Sequence, residues 1–295
     1  MKRVVYSLYI DIPNNELDNQ NPYNWDSISK SERTKISLKE NYDRLLTAKQ
    51  QYCKTIGVAF KMFEYDSSYV EYESKFKQKY PEITTYNIVN FYKIHLLYKL
   101  AKEYDEILYL DFDVVPTCTQ SFFDQWDFNN GICLLENNKD VNKRKLSIFK
   151  INHSVRSPTA KFYNAQAMLH EEGMSGDNDV INTGIVGASR QHLEQLGYFE
   201  GFESTLSMMH RLRQEDNDTI YPPNIVKMFG YDNETVFSYK LRLTDTPVQW
   251  LDDQWHYFYD TEMHIPKETK MLHAINKKFE FIWPDVEYGG RVFEE

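Results

Sequence analysis

The sequence predicts an α/β fold with a mostly parallel central sheet flanked by helices. Three observations carry this. Short apolar runs alternate with longer stretches of helical period through the first half of the chain. One run, EILYL at 106–110, is apolar almost throughout, as a parallel strand buried on both faces should be. That run ends in Asp111-Phe112-Asp113, which places two carboxylates where a sheet of this kind presents its ligand site.

The elements follow in order. Arg3 to Ile10 (RVVYSLYI) is rich in β-branched and aromatic residues and reads as the first strand. Residues 11–30 crowd Asn, Asp, Pro and Ser into a long loop at that strand's C-terminal end. From Ser31 to Ile56, the residues Ile36, Leu38, Leu45, Leu46, Ala48, Tyr52 and Ile56 recur at mixed three- and four-residue steps and predict a helix. VAFKMFEY (58–65) is the second strand, and residues 66–86 show no clear period. Asn87 to Glu103 is an amphipathic helix with Ile88, Phe91, Ile94, His95, Leu97, Tyr98 and Ala101 on or near its buried stripe. GICLLE (131–136) is a further strand, and the polar stretch 137–180 reads as an insertion over the site. INTGIVGAS (181–189) is a strand and 190–199 a helix, with more helices near 203–215 and 232–241 before an aromatic tail. With no repeat and no linker, one domain over 1–295 is expected.

Composition excludes several classes of function. The 34 Lys+Arg against 44 Asp+Glu leave a net charge of −10, which argues against a nucleic-acid partner. Charged residues at 26% and apolar ones at 41% describe a globular chain. Cys53, Cys118 and Cys133 are odd in number and form no CxxC pair, which argues against a disulfide framework and suits a reducing compartment. The apolar start MKRVVYSLYID is stopped by Asp11 without a cleavage site, and no window has transmembrane length, so a cytoplasmic protein is expected.

Two carboxylates at the mouth of a buried strand suit a hard divalent cation such as Mn²⁺ or Mg²⁺, which takes oxygen ligands and keeps positions open for a diphosphate. The spacing alone decides little, because Asp177–Asp179 and Asp216–Asp218 repeat it. Those two triplets lie in polar stretches and read as solvated loop carboxylates. Only Asp111–Asp113 follows a hydrophobic strand.

The segment NFYKIHLLYKLAKEYDEILYLDFDVVP resembles the central signature of the GT-A glycosyltransferases, in particular the retaining galactosyltransferase/glycogenin-like group (family 8-like). The likeness is close over 87–116 and weaker, but in order, at strand 1, INTGIV, YDNETVF and LHAINKK. It implies a GT-A, Rossmann-like nucleotide-diphospho-sugar transferase fold, with 1–136 as the nucleotide-sugar half and 137–295 as the acceptor-side half. It implies Asp111 and Asp113 as a Mn²⁺-binding pair with Phe112 between them, His273 as a further metal ligand, and a UDP-sugar as the favoured donor. A glycan or glycoprotein is the implied acceptor. Tyr6, Ser7 and Tyr9 fall where base and ribose bind, and Lys93 where the diphosphate lies. Asn182 and Gly184 match the sugar-side Asn-Ser-Gly, and Asp232 matches an acidic position facing the donor. The family's phosphate-binding lysine is offset here; Lys278 is favoured, with Lys277 adjacent.

Blander readings stand beside these. Lys93 reads equally well as an exposed helical lysine. His95 reads as a core or boundary residue, His256 and His264 as structural or surface residues, and Arg211 and Arg213 as a solvated face. Trp250, Trp255, Tyr257 and Tyr259 read first as core and second as an acceptor-stacking surface. Two other functions stay open: a haloacid-dehalogenase-like phosphohydrolase, whose first motif also ends a strand in D-x-D and whose distal acids Asp252 and Asp253 imitate, and a non-catalytic carbohydrate-binding protein of the same fold.

Overall fold

The computed structural model describes residues 1–14, 30–141, 157–214, 220–259 and 264–288. In chain order they form β1 (Arg3–Leu8), α1 (Lys30–Glu40), α2 (Tyr42–Thr55), β2 (Ala59–Phe63), α3 (Ser67–Lys79), α4 (Thr85–Leu100) and β3 (Glu106–Leu110). Next come β4 (Val114–Pro116), α5 (Phe122–Gln125), β5 (Ile132–Glu136), α6 (Ser157–Glu171), β6 (Ile181–Ser189), α7 (Arg190–Leu196) and α8 (Phe202–Leu212). The chain continues through α9 (Pro223–Val226), α10 (Asn233–Leu243), β7 (Val248–Trp250), β8 (Tyr257–Phe258), β9 (Met271–His273) and α11 (Phe279–Tyr288).

The main sheet has the order β2-β1-β3-β6-β5-β7. The pairs β1–β2, β1–β3 and β5–β7 are parallel, and β6 runs antiparallel to β3 and β5. All strands but β6 therefore point one way, and the sheet is mostly parallel as expected. A small sheet, β4-β9-β8, stands apart from it.

Side chains alternate across each strand and feed two cores. Val4, Tyr6 and Leu8 of β1 and Ile107 and Tyr109 of β3 join the cluster containing Ile88, Phe91 and Leu97 of α4. Val5, Leu108 and Leu110 face the other way, onto Tyr52 and Cys53 of α2 and Phe122 and Phe123 of α5. A third cluster packs Phe112, Val115 and Leu272 against Phe279, Ile282 and Trp283 of α11. β3 is thus covered on both sides, which is why its sequence is a continuous apolar run.

Three stretches differ from the expectation. The helix over 31–56 breaks at Asn41, whose Nδ2 donates to Ser37 O (2.8 Å) and whose Oδ1 accepts from Trp283 Nε1 (2.7 Å). The unassigned 66–86 contains α3, started by Asp66, whose side chain accepts from Tyr69 N. The polar insertion 137–180 contains α6, which buries Phe162, Tyr163, Met168 and Leu169. The Asp216–Asp218 triplet and most of the loop after β1 lie outside the described residues. The three cysteines are free, and no helix among the described residues is long and apolar enough to cross a membrane.

Candidate active site

The acidic pair sits on a turn whose backbone is pinned on every side. Asp111 N donates to Gly184 O on β6 (2.7 Å), Val114 N to Asp111 O (2.9 Å), and Ala274 N to Asp113 O (3.0 Å). The carbonyls of Phe112 and Val114 both accept from Lys49 Nζ at 2.7 Å. Lys49 lies on α2, fully buried, with its ammonium 5.0 Å from the Phe112 ring centre. Burial pulls its pKa down to about 7, against the opposing pull of Asp113 and Asp111. Sequence reading gave Lys49 no role, because a lysine in an amphipathic helix looks solvated.

The pairing of β4 with β9 then delivers the third group. Val114 stands opposite His273 in that ladder, so the imidazole lies beside Asp113. His273 Nε2 is 3.3 Å from Asp113 Oδ2 and 3.9 Å from Asp111 Oδ2. One ligand atom from each of the three residues lies within 4.8 Å of the others, the one such His/Cys/Asp/Glu group among the described residues. Two ligands about 2.1 Å from one octahedral ion stand roughly 3 Å apart when adjacent and roughly 4 Å when opposite. The separations of 3.3 and 3.9 Å fall in that interval. The two carboxylates suit Mn²⁺ or Mg²⁺, and the imidazole is a ligand that favours the transition metal of the two.

Each ligand is oriented by its neighbours. Tyr109 Oη donates to Asp111 Oδ1 (2.5 Å), and Lys93 Nζ lies 3.4 Å from the same oxygen, which leaves Oδ2 for the shared centre. Lys93 is buried rather than exposed. Lys277 Nζ bonds Asp113 Oδ2 at 2.6 Å and Ile275 O at 3.1 Å. Burial acts to raise the Asp113 pKa, but Lys277 and His273 outweigh it and hold the carboxyl well below its ordinary range. Gly184 lets the His273 ring in, since a Cβ there would lie 2.3 Å from Cε1. On the other side His273 Nδ1 meets His256 Nε2 at 3.0 Å. His256 is 1% exposed, and burial above all holds its pKa well below the ordinary value.

Several sequence expectations are placed differently. The lysine brought to the pair is Lys277, not Lys278: Lys277 adopts a left-handed φ of 55°, which turns its side chain inward, while Lys278 is exposed. Tyr6 and Ser7 are fully buried and hydrogen-bonded inward, Tyr6 Oη to Lys93 O (2.6 Å) and Ser7 Oγ to Leu110 O (2.7 Å). Both side chains thus brace α4 and β3 from within. Tyr9 is half-buried, with its ring 4.9 Å from Phe112 and 5.4 Å from Tyr42. Asn182 Oδ1 accepts from Gly184 N (2.9 Å) and so braces the glycine.

Asp232 is the N-cap of α10. Its Oδ1 accepts from Glu234 N and Thr235 N, and its Oδ2 from Thr235 Oγ1. Asp232→Ala is expected to cost about 1 kcal/mol in urea denaturation, and Asp232→Asn much less. Glu234 ties three elements together. It pairs with Lys161 of α6 and accepts from Thr183 N (2.8 Å) and Thr183 Oγ1 (3.2 Å) on β6. Burial would raise its pKa, yet Lys161 and Lys93 lower it. Lys161 was hidden in the stretch read as an insertion. Asp252 accepts from Gln254 N and Trp255 N within its own turn, and Asp253 is exposed, so neither imitates a distal acid at the pair.

No family model matches the chain, and a search of curated proteins finds no match. Among solved structures, the chain is similar to a glycosyltransferase involved in the glycosylation of the major capsid of PBCV-1 (12% identity, 96% of this chain and 100% of that one, TM-score 0.42). It is also similar to the galactosyltransferase LgtC in complex with donor and acceptor sugar analogs (10%, 92% and 86%, TM-score 0.40) and to mouse xyloside xylosyltransferase 1 (13%, 74% and 76%, TM-score 0.37).

Proposed function

We propose that this chain is a metal-dependent glycosyltransferase that moves a sugar from a nucleotide-diphosphate sugar, most naturally a UDP-sugar, to a glycan or glycoprotein acceptor with retention. One observation carries the reading: Asp111 Oδ2, Asp113 Oδ2 and His273 Nε2 converge at the mouth of β3. Bound there, Mn²⁺ or Mg²⁺ would neutralise the charge that grows on a departing diphosphate. It also answers how a chain of net charge −10 takes an anionic donor.

The chain's own groups supply the rest. Asp111 and Asp113 would hold the ion, and His273 would complete the set. The ammonium groups of Lys277 and Lys93, already beside the acidic pair, are cations for the diphosphate. A double displacement would need a carboxylate nucleophile at the anomeric carbon, and Asp232, the acidic position implied to face the donor, has both oxygens engaged by α10. Retention is therefore assigned to front-side attack. The acceptor hydroxyl bonds the anomeric carbon as the bond to the diphosphate oxygen breaks, and the hydroxyl proton passes to that oxygen. The three free cysteines suit a cytoplasmic setting.

The test is transfer itself. Purified protein, Mn²⁺ and a panel of UDP-sugars with glycan acceptors should release UDP and form a linkage whose anomeric configuration, read by NMR, matches that of the donor. An inverted linkage would remove the front-side assignment. Release of phosphate from simple phosphomonoesters, with no UDP released from any donor, would remove the transferase reading.

A further inference from the structure

We propose that His256 is the positioning residue that aims the Nε2 lone pair of His273 at the acidic pair, by receiving the proton that His273 carries on Nδ1. This deepens the metal reading above and rests on it. An imidazole that ligates through Nε2 holds its proton on Nδ1, and a metal-ligating histidine almost always donates that N–H to a group outside the ligand set. Among the described residues, the hydrogen-bond partner of His273 Nδ1 is His256 Nε2, 3.0 Å away.

The pair is built to hold one geometry. The two rings stack with centroids 5.2 Å apart and planes 30° from each other. Phe258 sets its ring against both, at 5.1 Å from His256 and 5.5 Å from His273. The His273 ring occupies the space that a Cβ on residue 184 would fill, 2.3 Å from its Cε1. His256 is fixed in turn by the Asp252 turn, where its N–H donates to Asp252 O at 3.0 Å, and by Trp255, which packs edge-on against Phe122. With Nε2 accepting, the proton of His256 sits on Nδ1, an atom without a hydrogen-bond partner among the described residues. The arrangement also fits the local charge. The usual acceptor behind a metal-bound histidine is a carboxylate or a carbonyl oxygen. A carboxylate here would add a third negative charge to a centre that already has two, whereas a neutral imidazole accepts without adding any.

The test uses the full chain and Mn²⁺ alone, with free Mn²⁺ read by its EPR signal. His256→Phe keeps a flat aromatic ring but removes the acceptor, and is expected to weaken Mn²⁺ binding by about 10- to 100-fold. His256→Gln returns an acceptor oxygen near the same place and should recover most of that loss. A merely structural role would not produce this rescue. In wild-type protein with ¹⁵N-labelled histidine and diamagnetic Mg²⁺, His273 should be protonated on Nδ1; this readout needs no variant to fold. Wild-type affinity in His256→Phe, no recovery in His256→Gln, or an Nε2-protonated His273 in the Mg²⁺ complex would each overturn the proposal while leaving the metal site standing. Absence of Mn²⁺ binding by the wild type, or undiminished binding by Asp113→Asn, would overturn both.

Discussion

Asp113→Asn is expected to abolish measurable Mn²⁺ binding and to lower sugar transfer by roughly a thousand-fold, about 4 kcal/mol of barrier, with the fold intact. Asparagine keeps the shape and one acceptor oxygen, and the Ala274 N to Asp113 O bond belongs to the backbone. What is lost is the charge that faces His273 and Lys277. The same carboxylate leaves a mark on acid stability. Its folded pKa lies well below the ordinary value, so its contribution to stability is present above the unfolded value of about 4 and is lost as pH falls through the folded value. Urea denaturation of the wild type should therefore weaken below about pH 4 more steeply than that of the asparagine variant. A variant that still binds Mn²⁺ would remove Asp113 from the ligand set.

Gly184→Ala is expected to do comparable harm from a residue that carries no chemistry. A methyl group there meets His273 Cε1 at 2.3 Å, Nδ1 at 2.6 Å and Asn182 Oδ1 at 2.9 Å. The ring cannot retreat, because His256 stands behind Nδ1 and Phe258 beside it. Either His273 leaves the acidic pair or β6 moves, and β6 also holds Asp111 N through Gly184 O. Mn²⁺ affinity should fall nearly as far as it does in His273→Ala, with overpacking costing about 1–3 kcal/mol in urea denaturation. Unchanged affinity would mean that His273 is not held as described.

Local signals made part of this architecture legible. β3 and β6 are apolar runs with sharp ends, and both match their expected bounds, 106–110 and 181–189. The acidic pair was legible because it follows β3. What stayed hidden depends on pairings between distant residues. His256 reads from the sequence as a structural or surface residue, whereas the β8–β9 and β4–β9 ladders put it behind His273 and put His273 beside Asp113. Lys49 became a clamp only because α2 packs over the Asp111–Val114 turn, 63 residues away from Phe112. The choice between Lys277 and Lys278 turned on one left-handed backbone angle that no propensity scale assigns to lysine. The two helices within 66–86 and 137–180 escaped for a different reason. Their buried faces are aromatic or alanine-rich, and their polar residues mask the period.

Calorimetric titration of nucleotide-diphosphate sugars into the protein, with and without Mn²⁺, tests the central claim most directly. The geometry at Asp111, Asp113 and His273 predicts that at least one such donor binds in the presence of Mn²⁺, that binding is lost without the ion, and that Asp113→Asn binds in neither condition. Donor binding that is indifferent to Mn²⁺ and to Asp113, or no binding of any nucleotide sugar in either condition, would contradict it.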